Sequence, residues 1–496
     1  MRGFAILLFL TIALMMGITV QAQEEQTPYD IALELIFEAE ETGASSLALW
    51  NMGLDELPPE IGRLTNLRSL TIDLNNLSSL PPEIGHLSNL RILNMSGNNL
   101  SSLPSEFSDL VNLQELDAGN NNFSYFPPEI ANLLSLQLLF LSHNDLITLP
   151  PEIGNLVNLR ELRLTYNGLN SLPPEIGLLT NLRSLNLDDN DLTNLPPEIG
   201  NLVNLQILWI TENQLSSLPP EIGNLSSLRQ LWLYENVLTE LPPEIGNLTE
   251  LEELLLYDNQ LTGLPAEIGN LENLTTLALY NNALESLPPE ISNLRNLTAL
   301  PLYGNNLSSL PSGITNLTGL RQLYLSDNNL SSLPPEIGNL QNLVYLKLDR
   351  NSLSALPPEI GSLTLLRELH VNNNNLSSLP AEIGNLQNLT HLYLAYNNLN
   401  DIPTSIADME SLLHLRLGGN PLRAIPDHIL PGDTAAIQSF LINRETWQLT
   451  RTVFVTATAI GVMLVAVLLL IVRSRQLRYE KPKIISASSE EQQRRG

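Results

Sequence analysis

The chain has 496 residues, no cysteine and a strong excess of acid, with 53 Asp plus Glu against 24 Lys plus Arg. Without cysteine there is no disulfide framework and no thiolate metal site, and an acidic body repels phosphate backbones, which argues against a nucleic-acid partner. The charge is divided: residues 23–452 carry a net −34 and residues 473–496 a net +4.

At the N-terminus, Arg2 precedes an apolar run over residues 4–20 and a small-residue site at Val20-Gln21-Ala22. This pattern predicts a secretory signal peptide over residues 1–22, the alternative being an uncleaved anchor. Residues 23–43 are expected to form an N-terminal capping helix. Thr27 is its N-cap, Pro28 its first position and Asp30 an acid in the first turn. Ile31, Leu35 and Ala39 recur at helical spacing with Ile36 beside them, and Gly43 is the stop. An open-ended stack of repeats needs such a cover for its first apolar end.

From residue 44 to 426 one stretch recurs, typified by LPPEIGNLVNLQILWITENQLSSL at residues 195–218. The apolar residue before the proline falls at Leu57 and at every 23rd residue after it to Ile425, 17 anchors without insertion or deletion. A fixed period of this length is the signature of a solenoid. Within a unit, L-x-x-L-x-L (Leu182, Leu185 and Leu187) reads as a strand with one inward face. An asparagine follows in all 16 later units, from Asn75 to Asn420, where the first unit has Met52. A buried amide at every turn must be hydrogen-bonded, and stacked asparagines reach the backbone of adjacent coils. In the return path Leu-Pro-Pro-Glu-Ile-Gly-Asn-Leu, proline suits the first position of a short helical turn. The following glutamate, such as Glu198 or Glu221, sits at the positive end of that turn's dipole.

These residues resemble the leucine-rich repeat family. Their consensus LPPEIGNLxNLxxLxLxxNxL is closest to the 23-residue class of bacterial proteins and plant intracellular Ras-group-related repeat proteins. The resemblance implies a right-handed solenoid, a parallel sheet on its concave side and a protein-binding surface, with no catalytic chemistry. Plant receptor members typically have a longer repeat, paired capping cysteines and a kinase; this chain lacks all three, which favours a prokaryotic source.

After Asn420 the pattern decays, and residues 427–452 are expected to hold a C-terminal cap and juxtamembrane segment. Ala436, Ile437, Phe440 and Leu441 would face the last coil. Residues 453–472 carry no charge and are bracketed by Arg451 and Arg473. Twenty such residues span about 30 Å as a helix, the thickness of a hydrocarbon core, so they predict a transmembrane helix. Arg473, Arg475, Arg478, Lys481 and Lys483 assign the basic tail, 473–496, to the cytoplasm. The expected topology is single-pass type I in the cell membrane, with the repeats outside. Ala457 and Gly461, four apart, mark a candidate homodimer contact within that helix.

Residues alternating with the buried leucines point to the concave surface. Tyr234, Tyr257, Tyr280 and Tyr303 occupy one position in four successive units. Trp209 and Trp232 share another, used again by Tyr324 and Tyr393, and Tyr166, Tyr345 and Tyr396 are also assigned to this face. Strands lie about 4.8 Å apart, so the tyrosines should form a near-continuous ladder. Acids accompany them, among them Asp188, Asp189, Glu212, Glu235 and Asp258. Aromatic residues with carboxylates suit a basic protein or peptide, or a glycan stacking on the rings. The plainer alternative is cross-strand packing of an open sheet.

The C-terminal third places Lys347, Arg350, His370, His391, His414 and Arg416 on the same face. His391 and His414 are one strand apart but lack a third metal ligand, and Asp188-Asp189-Asn190-Asp191 lacks the spacing of a calcium loop. Pro301 removes a ladder donor beside Tyr303 and Gly304 and predicts a shallow gap there. Asn-Leu-Ser and Asn-Leu-Thr triplets arise from the consensus itself.

The expected fold class is therefore α/β, a right-handed leucine-rich-repeat solenoid with short helical or 3-10 convex turns, plus one transmembrane helix. The expected function is that of a membrane-anchored extracellular protein binding a protein, peptide or glycan on its concave face, with no cofactor. Its ligand-binding residues are taken to be Tyr166, Trp209, Trp232, Tyr234, Tyr257, Tyr280, Tyr303, Tyr324, Glu212, Glu235 and Asp258. The alternative is a structural or adhesive stalk of the cell envelope.

Overall fold

The structure is a computed structural model that describes residues 26–423, 425 and 434–479. The expected signal peptide, residues 427–433 and the tail beyond residue 479 lie outside the described residues.

Helix α1 (Pro28–Thr42) opens the body. Its start is a reciprocal cap: the Thr27 hydroxyl accepts from the Asp30 N–H at 3.2 Å, and the Asp30 carboxylate accepts from the Thr27 N–H at 3.0 Å. The Thr27 hydroxyl, donating to the Asp30 carboxylate at 2.7 Å, and the Thr27 N–H hold that carboxyl below the usual range. Gly43, at φ 62°, closes the helix in the left-handed conformation that glycine adopts without a side-chain clash. The buried stripe is Ala32, Ile36 and Ala39, while Ile31 stays exposed. The expected stripe through Ile31 is thus rotated, because Ile36 and Ala32, four apart, face the first coil.

Seventeen three-residue strands, β1 (Ser46–Ala48) to β17 (His414–Arg416), form one parallel sheet in which each strand pairs with the next in sequence. The register advances by one repeat at each step, as in Trp209↔Trp232. Short 3-10 turns such as Pro197–Asn201 return the chain on the opposite side. Leucine at the middle of each strand is buried, and so are the isoleucines of the turns, for example Leu208, Leu231, Ile199 and Ile222. A three-residue strand is too short to persist alone, so the continuous apolar core between sheet and turns makes the array stable.

The asparagine ladder is as the period predicts. Asn236 accepts from the Leu215 N–H at 2.9 Å and donates to the carbonyls of Ile210 at 2.8 Å and Leu233 at 3.1 Å. One amide thereby serves two coils. At the first coil, which lacks the asparagine, Asn75 accepts from the N–H groups of both Met52 and Leu54. A second ladder runs along the exposed side, where Asn181 donates to the Val157 carbonyl and Asn204 to that of Thr180, each at 2.9 Å.

The far end is sealed by the start of helix α2 (Thr434–Tyr479). Ile437 and Leu441 are buried against the last coil and Phe440 packs beside them. Ala436, expected to join them, is exposed. Polar groups complete the seal: the Thr434 hydroxyl accepts from the Leu415 N–H at 2.9 Å and donates to the Leu413 carbonyl at 2.8 Å. The Gln438 amide donates to Met409 at 3.0 Å. Edge backbone groups there need partners as much as the leucines need cover, which an apolar stripe alone does not disclose. Residues 453–472 fall within α2, but among the described residues no helix is long and apolar enough to cross a membrane. The transmembrane helix expected at 453–472 is therefore not part of the described architecture.

Candidate functional site

Each strand presents its first and third residues on the open face of the sheet, and the chain continues that alternation for two more residues. Because the repeat never changes length, positions 23 apart stack in straight columns. The third strand position holds Trp209 and Trp232, whose rings stack with centroids 4.4 Å apart at 10°. Two residues further on, Tyr234, Tyr257, Tyr280 and Tyr303 stack at 4.3, 4.3 and 4.4 Å with interplanar angles of 13° or less.

This face-to-face packing changes what the aromatic residues can offer. The faces of the inner rings are covered by their neighbours, so the ladder presents ring edges and hydroxyls. Burial pushes the Tyr280 hydroxyl up to about 12, with the nearby Tyr303 adding to it. Tyr257 is raised further, by burial first and then by its neighbours Tyr234 and Tyr280. The Tyr257, Tyr280 and Tyr303 phenols remain protonated at any ordinary pH. The indole Nε1 atoms of Trp209 and Trp232 are buried and lack a hydrogen-bond partner. An indole nitrogen only donates, so each represents an unmet demand for an acceptor.

The remaining expected residues divide. Tyr324 returns to the tryptophan column, opposite Pro301 in the register. Its hydroxyl donates to Gln322 Oε1 at 2.9 Å, and the Lys347 ammonium sits 5.0 Å from its ring centroid. Tyr166 stands apart from the band, half exposed and stacked on His143 at 4.4 Å. It belongs to a ridge along the edge of the open face, one residue before each asparagine, where the backbone is left-handed. Tyr166, Asp189, Glu212, Glu235 and Asp258 have φ between 52° and 55°. Strict alternation would turn these side chains inward; the positive φ turns them out. A sequence signal for this existed, since Gly97, Gly304 and Gly419 occupy the same position and share the positive φ.

Along the ridge, hydrogen bonding with Asp189 pushes the Glu212 carboxyl up, and burial and the charges of Asp189, Glu235 and Asp188 add to it. Asp258 accepts from the Asn281 amide at 2.9 Å. Further along, Asp327 is neutralised by Arg350, whose Nη2 lies 2.8 Å from Oδ2.

Pro301 weakens the ladder as expected: β11 (Thr276–Ala278) and β12 (Ala299–Pro301) pair only at Thr276↔Ala299. The gap expected beside Gly304 is filled, because the Asn281 side chain occupies the space a Cβ there would need. In the C-terminal third, His370 lies 3.2 Å from Glu368 and 3.6 Å from Asp349. Burial pushes the Asp349 carboxyl up, but hydrogen bonds from His370 and Asn372 overcome this and hold it below the usual range. The rings of His391 and His414 are 4.6 Å apart, and among the described residues no group of three metal donors forms. A cavity of about 560 Å³ opens at this end, lined by Asn372, Tyr393, Tyr396 and Arg416 among others.

Comparison with known proteins agrees with this architecture. The leucine-rich repeat region family matches residues 173–262 and 254–327, and the leucine rich repeat family matches residues 45–123 and 364–422. No curated protein matches the chain. Among solved structures, a leucine-rich repeat protein of Leptospira interrogans is 40% identical, with 78% of this chain and 93% of that one covered and a TM-score of 0.66. A TDR receptor is 31% identical over 77% of this chain and 70% of its own, also at 0.66. The Arabidopsis receptor kinase HAESA, solved with its peptide hormone IDA and a co-receptor, is 28% identical over 77% and 75%, at 0.56. From its unbroken period, its parallel sheet and its likeness to the Leptospira protein, the chain belongs to the leucine-rich repeat family.

Proposed function

We propose that the chain is an extracellular binding protein that holds a peptide or extended protein segment along its open face. The observation that carries this reading is the band of stacked rings. It gathers the scarce aromatic residues of the chain on contiguous strands of the open face. Peptide is favoured over glycan because the inner ring faces, which a sugar would need, are covered by one another. Peptide carbonyls would accept from the phenol hydroxyls at the ring edges. A peptide hormone in the HAESA structure supports the same class of ligand on this fold.

The test compares the full chain with a Trp209→Ala, Trp232→Ala, Tyr257→Ala, Tyr280→Ala variant in capture from cell-envelope extracts and from a random peptide library. The parent should retain ligands that the variant, with its melting temperature still cooperative, does not. Equal capture by both would mean that the rings only pack the sheet, and the stalk reading would take over.

We further propose that residues 453–472 anchor the protein in the membrane with the repeats outside. The support is the uncharged run itself and the exposed apolar side chains along α2, including Leu464, Leu468 and Leu469. Expressed intact, the chain should sediment with membranes, resist high salt and carbonate, and be released by detergent; release by salt alone would refute the anchor.

A further inference from the structure

We infer that copies of this chain associate side by side, the edge of the sheet where the strands begin meeting the edge of a second copy where they end. All seventeen strands are parallel, so each edge has columns of its own. Just before the strands, the second asparagine ladder keeps the coils in file: Asn158 donates to the Leu134 carbonyl at 2.8 Å and Asn181 to that of Val157 at 2.9 Å. One residue before the ladder position stand Val111, Leu134, Val157 and Val203, each about half exposed. Single exposed valines need no explanation, but a file of them across five units is an apolar patch. Two residues after the ladder position stand Arg68, Arg91, Arg160, Arg183 and Arg229. From Thr65 to Arg229 neither column holds an acid, although residues 23–452 carry a net −34. Arg229 is held by Glu252 at 3.0 Å, whereas Arg160 and Arg183 make no ion pair among the described residues.

The opposite edge of the same chain matches this one in charge and in spacing. Both edges are built by the same coils, so both advance by one strand spacing per unit, about 4.8 Å. A partner of another fold would share that step only by chance. With the second copy displaced by one unit, Arg160 falls opposite Asp189, Arg183 opposite Glu212 and Gln206 opposite Glu235. In the same register the coils of Val111 and Leu134 face those of Ile147 and Tyr166, both about half exposed on the far edge. The change from apolar to charged therefore comes at the same step on both edges, and one displacement satisfies the two together. The contact is parallel, as between copies anchored in one membrane, and it joins unlike surfaces, so it repeats from copy to copy as an open row. The stacked aromatic columns lie between the two edges and stay free, so the peptide-binding reading stands or falls separately.

The chain has no cysteine, so introduced thiols report the contact directly. Thr180→Cys lies on the first edge and Gln214→Cys on the second, one coil further on; both positions are exposed. Cells expressing the full chain with both substitutions are treated with a short bismaleimide and should yield a ladder of dimers, trimers and larger products. Either substitution alone should yield monomer, since like edges do not meet. Thr180→Cys with Asn329→Cys, on the second edge but five units out of register, should also yield monomer. Arg160→Glu with Arg183→Glu should reduce the ladder about tenfold by setting like charges against each other. Adding Asp189→Lys and Glu212→Lys to that same chain should restore it, which excludes unfolding as the cause of the loss. No ladder at all, a ladder from a single substitution or from the out-of-register pair, one that survives the arginine changes, or one that the lysine changes fail to restore would each overturn the proposal.

Discussion

Replacing Asn236 by leucine should lower the stability of the array by about 3 kcal/mol, because it orphans two buried backbone groups at once. The Leu215 N–H loses its acceptor and the Ile210 carbonyl its donor, and the site is too dry for water to replace them. Leucine keeps comparable bulk in the core, so the loss is polar and not a cavity. The internal control is Asn204→Ala on the exposed ladder, which removes a hydrogen bond of similar length to the Thr180 carbonyl. Water replaces that partner, so the expected cost is within about 1 kcal/mol. Denaturant unfolding of the two variants measures the difference, and equal costs would refute the account. Hydrogen exchange should place the weakness of the leucine variant in the coils on either side of residue 236, since each coil contacts only its neighbours.

The second large effect is expected at Gly200. A Cβ there would lie 2.5 Å from the Glu221 carbonyl oxygen, 2.8 Å from Glu221 Cβ and 3.1 Å from its carbonyl carbon. These are mostly backbone atoms of the next coil, so no side-chain rotation relieves them. Gly200→Ala should therefore cost about 3 kcal/mol, at the upper end of overpacking effects. Gly263→Ala meets nothing within 4 Å and should be neutral or slightly stabilising. Thermal melts of the two variants decide the matter: similar shifts would mean that the glycine at 200 is dispensable. Five units carry a side chain at the corresponding position, Ser108, Ala131, Ser292, Thr315 and Ala407, so the constraint belongs to the glycine turns and not to every coil. At Ala131 the turn is only Ile130–Asn132, shorter than the five residues of Pro197–Asn201, while the other four keep five residues.

The contrast between these two sites shows what a sequence of this kind discloses. An unbroken period turns linear spacing into spatial neighbourhood, so the tyrosine column and the buried asparagines could be placed before any coordinates. Their partners follow from the same arithmetic. The role of Gly200 does not, because it depends on how closely two coils approach, and a consensus glycine has several possible reasons. Alternation assigns Tyr166 and the acids Glu212, Glu235 and Asp258 to the open face, but not to a ridge of their own. Period-two alternation carries no information about a residue that leaves the strand conformation. The stacking of the rings was equally hidden. The spacing predicted a ladder, but side-chain torsions decide whether rings offer their faces or cover one another's.

The invariant repeat length has a consequence for how such a protein can change. Every junction between coils uses the same contacts, a buried amide shared by two coils and, at most turns, a glycine laid against a carbonyl. A duplication or loss of one 23-residue unit therefore creates no new kind of junction. It lengthens or shortens the surface columns while leaving each remaining unit intact. The reach of the tyrosine column is in that sense a copy number, adjustable by recombination within the gene without redesign of the core.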